Sequence, residues 1–254
     1  MTSLKVLTLN IHKGFSSGNL SFTLEKIRQQ LRKTKSDLVF LQEVVGKNTK
    51  RQASIENWPD LQQFEYLADS LWPHFAYGKN SIYQHGHHGN AILSEVPFST
   101  SNNIDISLVR YSQRGFLHGV LESGIHVLCT HLGLFETERV LQIRKLVTHI
   151  QESIPPSAPL ILAGDFNDWN LKTHRFLVGK LGLKETYKSL HGRLPSTFPS
   201  RLPFLPMDRI YTRGFNVTGA QVLHGEPWHA LTDHSPLTAD ISQTIAKPDK
   251  IGEC

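Results

Sequence analysis

Cysteine is scarce: two residues in 254, Cys129 in a strand-like stretch and Cys254 at the last position. That number rules out a disulfide framework as the source of stability. Long apolar runs are also missing. The longest reach about four or five residues, against the roughly 20 that a membrane-spanning helix needs. No internal repeat or low-complexity linker divides the chain, so a single domain over 1–245 with a short tail at 246–254 is expected. Met1-Thr2-Ser3-Leu4-Lys5 passes straight into a strand pattern, without a basic start and an apolar signal region. A cytoplasmic protein is therefore expected. An excess of one charge is small too: 27 Lys and Arg against 22 Asp and Glu, a formal +5. This favours an anionic substrate mildly and does not by itself mark a nucleic-acid binder. What is present is ordinary, with 39% hydrophobic residues, enough for a sizeable core.

Eight segments read as strands: Leu4–Leu9, Leu38–Leu41, Ala91–Leu93, Val120–Leu121, Ile125–Cys129, Leu160–Ala163, Arg209–Tyr211 and Pro236–Ile241. Leu24, Ile27 and Leu31 recur at helical spacing, with Ser21 as the expected N-cap and Glu25 in the first turn. Val140, Ile143, Val147 and Ile150 form a second stripe between Glu136 and Gln151, stopped by Pro155 and Pro156. A shorter helix over Thr173–Leu181 ends at Gly182. Strands interspersed with few helices predict α/β or α+β layers. Arg28, Arg32, Lys33 and Lys35 read as the solvated face of the first helix. Leu194–Pro206 is an irregular loop with four prolines and exposed-looking Phe198, Leu202, Phe204 and Leu205, either packing or a lip beside a site.

The most informative stretch is Ala163-Gly164-Asp165-Phe166-Asn167-Asp168, after the apolar run Leu160-Ile161-Leu162. A buried strand delivers two carboxylates and an amide to a sheet edge. Carboxylates cost heavily in a dry interior and gather at strand ends when there is a cation to hold or a proton to move. The arrangement repeats. Asn10 ends the first strand, Glu43 follows the second, Asn90 opens the third, His131 ends the fifth, and Asp208, Asp233 and His234 precede the last two. Antiparallel neighbours reverse direction, so one rim can collect Asn10, Glu43, His131, Asp165, Asn167, Asp208, Asp233 and His234. Carboxylate and amide oxygens around Glu43 suit Mg²⁺ or Mn²⁺. Asp165 is a candidate base for water, and His234 and His131 are candidate donors to a developing oxyanion. Such a set suits hydrolysis of a phosphate ester.

These residues resemble the metal-dependent endonuclease/exonuclease/phosphatase superfamily, which includes pancreatic-type deoxyribonucleases and abasic-site endonucleases. The resemblance runs from about Val6 to Ile241. It rests on Leu7–Asn10, Leu41–Val44, Gly89–Ser94, Thr130–Leu132, Ala163–Asn167, Met207–Tyr211 and Thr232–Pro236, seven blocks in family order. The chain is also similar to small bacterial members with Asn-Ile-His-Lys-Gly and His-His-Gly-Asn-Ala blocks. The resemblance implies a four-layer sandwich, two packed mixed β-sheets flanked by helices. It implies Glu43 as metal ligand, helped by Asn10 and Asp233, with Mg²⁺ or Mn²⁺ as cofactor. It further implies Asp165 as activator of water and Asn167 as holder of phosphate or the attacking oxygen. Asp208 would orient His234 on the scissile phosphate, and His131 would be the general acid. Abasic-site endonucleases commonly have tyrosine at that last position, so the match leans toward the deoxyribonuclease and sphingomyelinase branches. One departure is His12, where the family often has Asp or Asn. An imidazole is a poorer Mg²⁺ partner, so His12 and Lys13 fall on the substrate side, with Asn90. The expected substrate is a phosphodiester, nucleic acid ahead of a lipid headgroup, with a phospholipid or inositol-phosphate phosphoesterase of the same fold as the alternative. No protein partner is implied.

Two rival readings remain at this point. His85-Gly86-His87-His88 partly matches zinc hydrolases of the metallo-β-lactamase type, without their acidic residue. Gly14-Phe15-Ser16-Ser17-Gly18 satisfies a serine-hydrolase pattern but lacks the immediate strand–turn–helix context. A catalytically silent binding protein on the same fold is the third class.

Overall fold

The computed structural model describes residues 3–108 and 112–244; the expected tail at 246–254, with Cys254, lies outside them. The chain runs β1 (Ser3–Asn10), α1 (Leu24–Thr34), β2 (Leu38–Asn48), α2 (Thr49–Ser54), α3 (Gln63–Ala68), β3 (His74–Tyr83), β4 (Gly86–Ser94) and β5 (Phe98–Asp105). It continues through β6 (Gly115–Leu121), β7 (His126–His131), α4 (Glu136–Ser153), β8 (Leu160–Asp165), α5 (Lys172–Leu181), β9 (Lys184–Glu185) and α6 (Thr186–His191). It closes with β10 (Asp208–Arg213), β11 (Phe215–Val222), α7 (Trp228–Leu231) and β12 (Leu237–Gln243). Among the described residues no helix is long and apolar enough to cross a membrane.

Two mixed six-stranded sheets form, ordered β11-β12-β1-β2-β4-β3 and β5-β6-β7-β8-β10-β9. Alternation along each strand sends every second side chain inward. Val6, Phe40, Ile92, Leu117, Val127, Ile161, Ile210 and Ala239 therefore meet between the sheets in one buried layer. The opposite faces are also apolar and take helices. Leu7, Leu9, Val39 and Leu41 pack beneath Leu24, Ile27 and Leu31 of α1 and Phe64 and Leu67 of α3. Leu128, Leu160 and Leu162 pack beneath Ile143, Leu146, Val147 and Ile150 of α4. The result is the expected four-layer sandwich.

The first helix starts differently from expectation. Thr23, not Ser21, occupies its N-cap position, and its hydroxyl donates to the Leu231 carbonyl at 2.7 Å. Ser21 instead pairs with the Ser16 hydroxyl at 3.1 Å. The outer face of α1 is ion-paired, Arg28 with Glu25 at 2.8 Å and Arg32 with Asp69, as expected of a solvated surface. The helix over 172–181 ends on Gly182 with φ +62°, as its sequence predicts.

Gly164 shows why the Gly-Asp block begins with glycine. Its φ is +147°, and a Cβ there would lie 2.0 Å from the Thr130 carbonyl oxygen of the neighbouring strand. That oxygen is backbone inside a parallel ladder and has no room to withdraw. Gly164→Ala is expected to destabilise by about 3 kcal/mol or more, measured by chemical denaturation, through forced strand separation. An unchanged midpoint would show that the ladder yields.

Candidate active site

Sheet register places three predicted residues side by side. His131 ends β7 opposite Asp165 at the end of β8, and Asp208 at the start of β10 pairs with Asp165 from the other side. The second sheet adds Asn10 at the end of β1, whose Nδ2 donates to Asp165 Oδ2 across the interior at 3.2 Å. His234, just before β12, sets its Nδ1 2.8 Å from Asp208 Oδ2 and its Nε2 3.8 Å from Asp165 Oδ2. His131 Nε2 lies 3.5 Å from the same Asp165 oxygen. The Asn167 backbone N–H donates to Asp165 Oδ1 at 3.0 Å, and its side-chain amide donates to the Leu132 carbonyl at 2.9 Å. One carboxylate is thus the hub of the cluster.

Burial and charge set the protonation states. Burial pushes the Asp165 carboxyl up to about 6, with His234 pulling against it and Asp208 adding to it. Burial alone would lower His234, but Asp208 and Asp165 outweigh it and raise the imidazole to about 10. His234 is an imidazolium at neutral pH. His131 is the opposite case: burial and the nearby Arg114 guanidinium hold it well below the ordinary value. Asp165, Asp208 and His234 offer three ligand atoms within 4.8 Å of one another. An imidazolium has no lone pair for a metal, so these three read better as a hydrogen-bonded proton network.

A second group lies along the same rim. The pairing of β2 with β4 shifts register between Leu41 and Val44, and Glu43 sits in that irregularity with φ +56°. A bulge of this kind turns a side chain out of the ladder. Lys13 Nζ contacts Glu43 Oε2 at 2.5 Å. Burial raises the Glu43 carboxyl, but Lys13, His131 and His88 together hold it well below the usual carboxylate range. His12 Nδ1 lies 3.6 Å from Asp233 Oδ1, and the His12 backbone N–H donates to Asn10 Oδ1 at 3.0 Å. His12, Lys13 and Gly14 all have positive φ, so the segment after Asn10 is a tight strap that carries the Lys13 side chain onto Glu43 and the His12 ring toward Asp233. Non-glycine residues in this region store strain that the surrounding fold must hold, a feature concentrated at functional sites.

These residues fit a hard divalent cation. Glu43 is a deprotonated carboxylate whose hydrogen-bond partner among the described residues is an ammonium, a cation already standing on it. Asn10 adds an amide oxygen and Asp233 a half-exposed carboxylate, an all-oxygen donor set of the Mg²⁺ or Mn²⁺ kind.

Other predicted residues take structural places. Asn90 is buried, and its amide donates to the carbonyls of Gly115 at 3.0 Å and Cys129 at 3.4 Å. It ties one sheet to the other beneath the site, which corrects its placement on the substrate side. Asp168 is no second rim carboxylate. It is fully buried against Arg209 at 2.8 Å and receives the backbone N–H groups of Thr173 and His174 at the start of α5. Ser16 hydrogen-bonds Ser21, and among the described residues no imidazole is its partner, so the structure offers no base to activate it. His87 and His88 are consecutive on β4 and so face opposite sides; His87 reaches the Tyr77 hydroxyl at 3.0 Å, and His88 lines a cleft with Glu43. Among the described residues they do not come together with a third ligand as a zinc site.

One contributor had no sequence signal, and a second came from a loop whose role was left open. Arg114 precedes β6 outside every block, yet it lines the roughly 340 Å³ cleft that also holds Glu43, Lys13 and His88. Phe198, from the proline-rich loop, lays its ring 4.9 Å from the His234 ring. Of that loop's apolar residues only Leu202 and Phe204 are exposed; Phe198 and Leu205 are half-buried.

Two β-sheets in a helix-flanked sandwich, with carboxylates, amides and histidines collected on one rim, define a protein of the phosphoesterase type. A sequence model of the Endonuclease/Exonuclease/phosphatase family matches residues 7–234, and the chain belongs to that family. It is 42% identical over 244 residues to the uncharacterized protein YbhP of Escherichia coli (strain K12), covering 94% of this chain and 96% of that one. An endonuclease/exonuclease/phosphatase from Beutenbergia cavernae DSM 12333 shares the fold with TM-score 0.73 at 18% identity, covering 96% of this chain and 72% of the other. D. rerio TDP2, solved in complex with a single-strand DNA product, does so with TM-score 0.70 at 19% identity, covering 96% and 100%.

Proposed function

We propose that the protein is a divalent-metal-dependent phosphodiesterase in which Asp165 is the general base and His234 the cationic partner of the phosphate. The observation that carries this reading is the Asp208–His234–Asp165 arrangement, which holds an imidazolium beside a carboxyl of pKa about 6. A base is most effective when its pKa lies near the working pH. Asn10 and the Asn167 backbone each bond one Asp165 oxygen, which fixes the carboxylate's direction. Asp165 removes a proton from the attacking water, whose oxygen bonds to phosphorus as the P–O bond to the leaving group breaks. His234, fixed by Asp208, meets the negative charge that grows on the phosphoryl oxygens. It is also the protonated imidazole of the pair, so the role of acid expected for His131 belongs with His234. Neutral His131 serves as a hydrogen-bonding group beside Asp165. A divalent cation held by Glu43, Asn10 and Asp233 would supply further charge stabilisation on the phosphate.

Lys13 carries the positive charge of the strap and is the side chain offered to a substrate phosphate, with the His12 ring as a hydrogen-bonding neighbour. These residues address the phosphate and not what it joins, so nucleic-acid and lipid diesters both fit the chemistry. The fold admits the first, as the DNA product complex of D. rerio TDP2 shows for that protein.

Titration calorimetry with Mg²⁺ and Mn²⁺ tests the metal assignment without turnover. Glu43→Gln is expected to bind at least roughly tenfold more weakly than wild type, because the carboxylate charge sets much of the affinity of such a site. Equal affinities would remove Glu43 from the metal site.

A further inference from the structure

We propose that His118, His126 and His149 form a pH-sensitive clamp that fastens α4 to the sheet of β6, β7 and β8 and opens when the cluster takes a second proton. The clamp stands whether or not the rim hydrolyses a phosphodiester.

His126 opens β7, the strand whose far end carries His131, so the cluster stands away from the catalytic rim. Leu117 and Val127 point between the two sheets. Alternation therefore turns their neighbours, His118 on β6 and His126 on β7, toward α4. The register sets His118 opposite Leu128 and Val120 opposite His126, which makes the two imidazoles diagonal neighbours. From above, α4 brings down His149 beside its buried Leu146 and Ile150. The three rings form a chain with His118 in the middle. Its Nδ1 lies 2.9 Å from His149 Nε2, and its Nε2 lies 3.0 Å from His126 Nδ1. All three are half-buried, so protons from water reach them.

Counting protons shows why such a chain senses pH. A neutral imidazole has one N–H and one lone pair. Three of them satisfy both nitrogen–nitrogen contacts when every ring donates in the same direction. One added proton is also accommodated, because His118 as an imidazolium donates to both neighbours. A second is not. With two imidazolium rings in a chain of three, at least one contact sets N–H against N–H, and two positive charges share a half-buried site. Histidine clusters that fasten one element to another are for this reason proton-driven switches.

The charged neighbours decide where the second proton goes. Arg213 of β10 opposes one on His126, and Glu152 of α4 favours one on His149. Lys145, one turn before His149, lies near Asp105 of β5, and the β5 residue opposite His118 is the neutral Asn102. The second proton therefore falls on the helix side, and the contact that breaks is the one between His149 and His118. Burial holds all three imidazoles below the ordinary value, and His149 and His126 press His118 further down, to about 4. A folded value lowered from 6.5 contributes stability that is present above that value and is lost as pH falls toward 4. The same helix steadies the catalytic rim. Gln142 accepts from the Gly133 N–H at 2.8 Å, and Arg139 donates to the Leu134 carbonyl, both just beyond His131. Release of its far end makes the support of that loop depend on pH.

Hydrogen–deuterium exchange of the full-length protein, corrected for the intrinsic pH dependence of amide exchange, reads the clamp directly. From about pH 7 to about pH 4.5, exchange in residues 144–153 of wild type is expected to rise at least roughly tenfold, while exchange in α1 stays flat. His149→Phe places a ring that takes no proton beside Phe116, whose own ring lies 5.0 Å from His149. His118→Gln keeps a donor and an acceptor in the middle of the chain and takes no proton either. Both variants are expected to hold exchange in that segment within about twofold over the same range. If the phenylalanine lowers the melting temperature at pH 7, the glutamine variant decides. An equal rise in wild type and His118→Gln would overturn the proposal. So would a flat response of wild type, or a rise in α1 equal to that in α4, which is the mark of global unfolding.

Discussion

Asp165→Asn is expected to lower kcat by roughly 10³–10⁴ and to raise the thermal stability of the protein at pH 8. The first effect would be the loss of the proposed general base, whose two oxygens are oriented by Asn10 and Asn167. Asparagine keeps the shape and an acceptor oxygen but cannot take the proton. The second effect follows from burial. The folded pKa of about 6 lies above the ordinary 3.8, so the native state holds this proton more tightly than the unfolded chain does. The stability owed to that difference is present at low pH and is lost as pH rises from about 4 to about 6. The variant is therefore more stable than wild type at pH 8, and the gain fades toward pH 4. Kinetics on a soluble diester and melting curves at the two pH values check both halves. Full activity in the variant removes Asp165 as the base, and a gain that grows toward low pH contradicts the raised pKa.

Arg209→Met costs about 3–5 kcal/mol. Arg209 and Asp168 are fully buried, and the arginine is satisfied throughout. It donates to the Asp168 carboxylate at 2.8 Å, to the Pro206 carbonyl at 2.8 and 3.1 Å, and to the Tyr211 hydroxyl at 3.3 Å. Removing one partner leaves an uncompensated carboxylate in a dry interior, which is far costlier than the pair is worth. For a chain of this length the loss corresponds to a fall in Tm of roughly 10 °C. Adding Asp168→Asn to Arg209→Met is expected to recover part of it, because the stranded charge disappears while one acceptor remains for the start of α5. The effect also bears on the site. Asp168 follows Asn167 and Arg209 follows Asp208, so this pair locks the backbone beneath two residues of the catalytic cluster. A variant that melts at the wild-type temperature would show that the pair holds nothing.

The eight strands legible in the sequence are the interior strands of the two sheets, β1, β2, β4 and β12 in one and β6, β7, β8 and β10 in the other. The four that sequence reasoning missed, β3, β5, β9 and β11, are the sheet edges. An interior strand is covered on both faces and announces itself with a continuous apolar run such as Leu160-Ile161-Leu162. β5 is Phe-Ser-Thr-Ser-Asn-Asn-Ile-Asp, largely exposed, and its pairing with β6 alone makes it a strand. Edge strands are polar for good reason, since an apolar edge invites a second chain.

The site follows the same division. Asn10, His131, Asp165 and Asp208 end or begin interior strands, so their convergence was readable from strand boundaries and alternating direction. Asp168 was misread because its sequence neighbours are rim residues, while its buried partner Arg209 lies 41 positions away. Arg114 carries no signal because it reaches the cleft from a loop outside every block, whereas Phe198 lies in the proline-rich loop that the sequence offers as packing or a lip beside a site. Asn90 was placed by resemblance on the substrate side, although its amide is spent on two carbonyls of the opposite sheet.

The proposed chemistry joins an oriented carboxylate at Asp165 to a divalent cation acting on phosphate diesters. Its most direct test is the turnover of bis(p-nitrophenyl) phosphate, DNA, RNA and phospholipid vesicles by metal-stripped protein, in EDTA and after addition of Mg²⁺ or Mn²⁺. No turnover in EDTA, with at least one diester hydrolysed once Mg²⁺ or Mn²⁺ is restored, is the predicted result. Turnover at full rate in EDTA, or none on any diester with either metal, would contradict that chemistry.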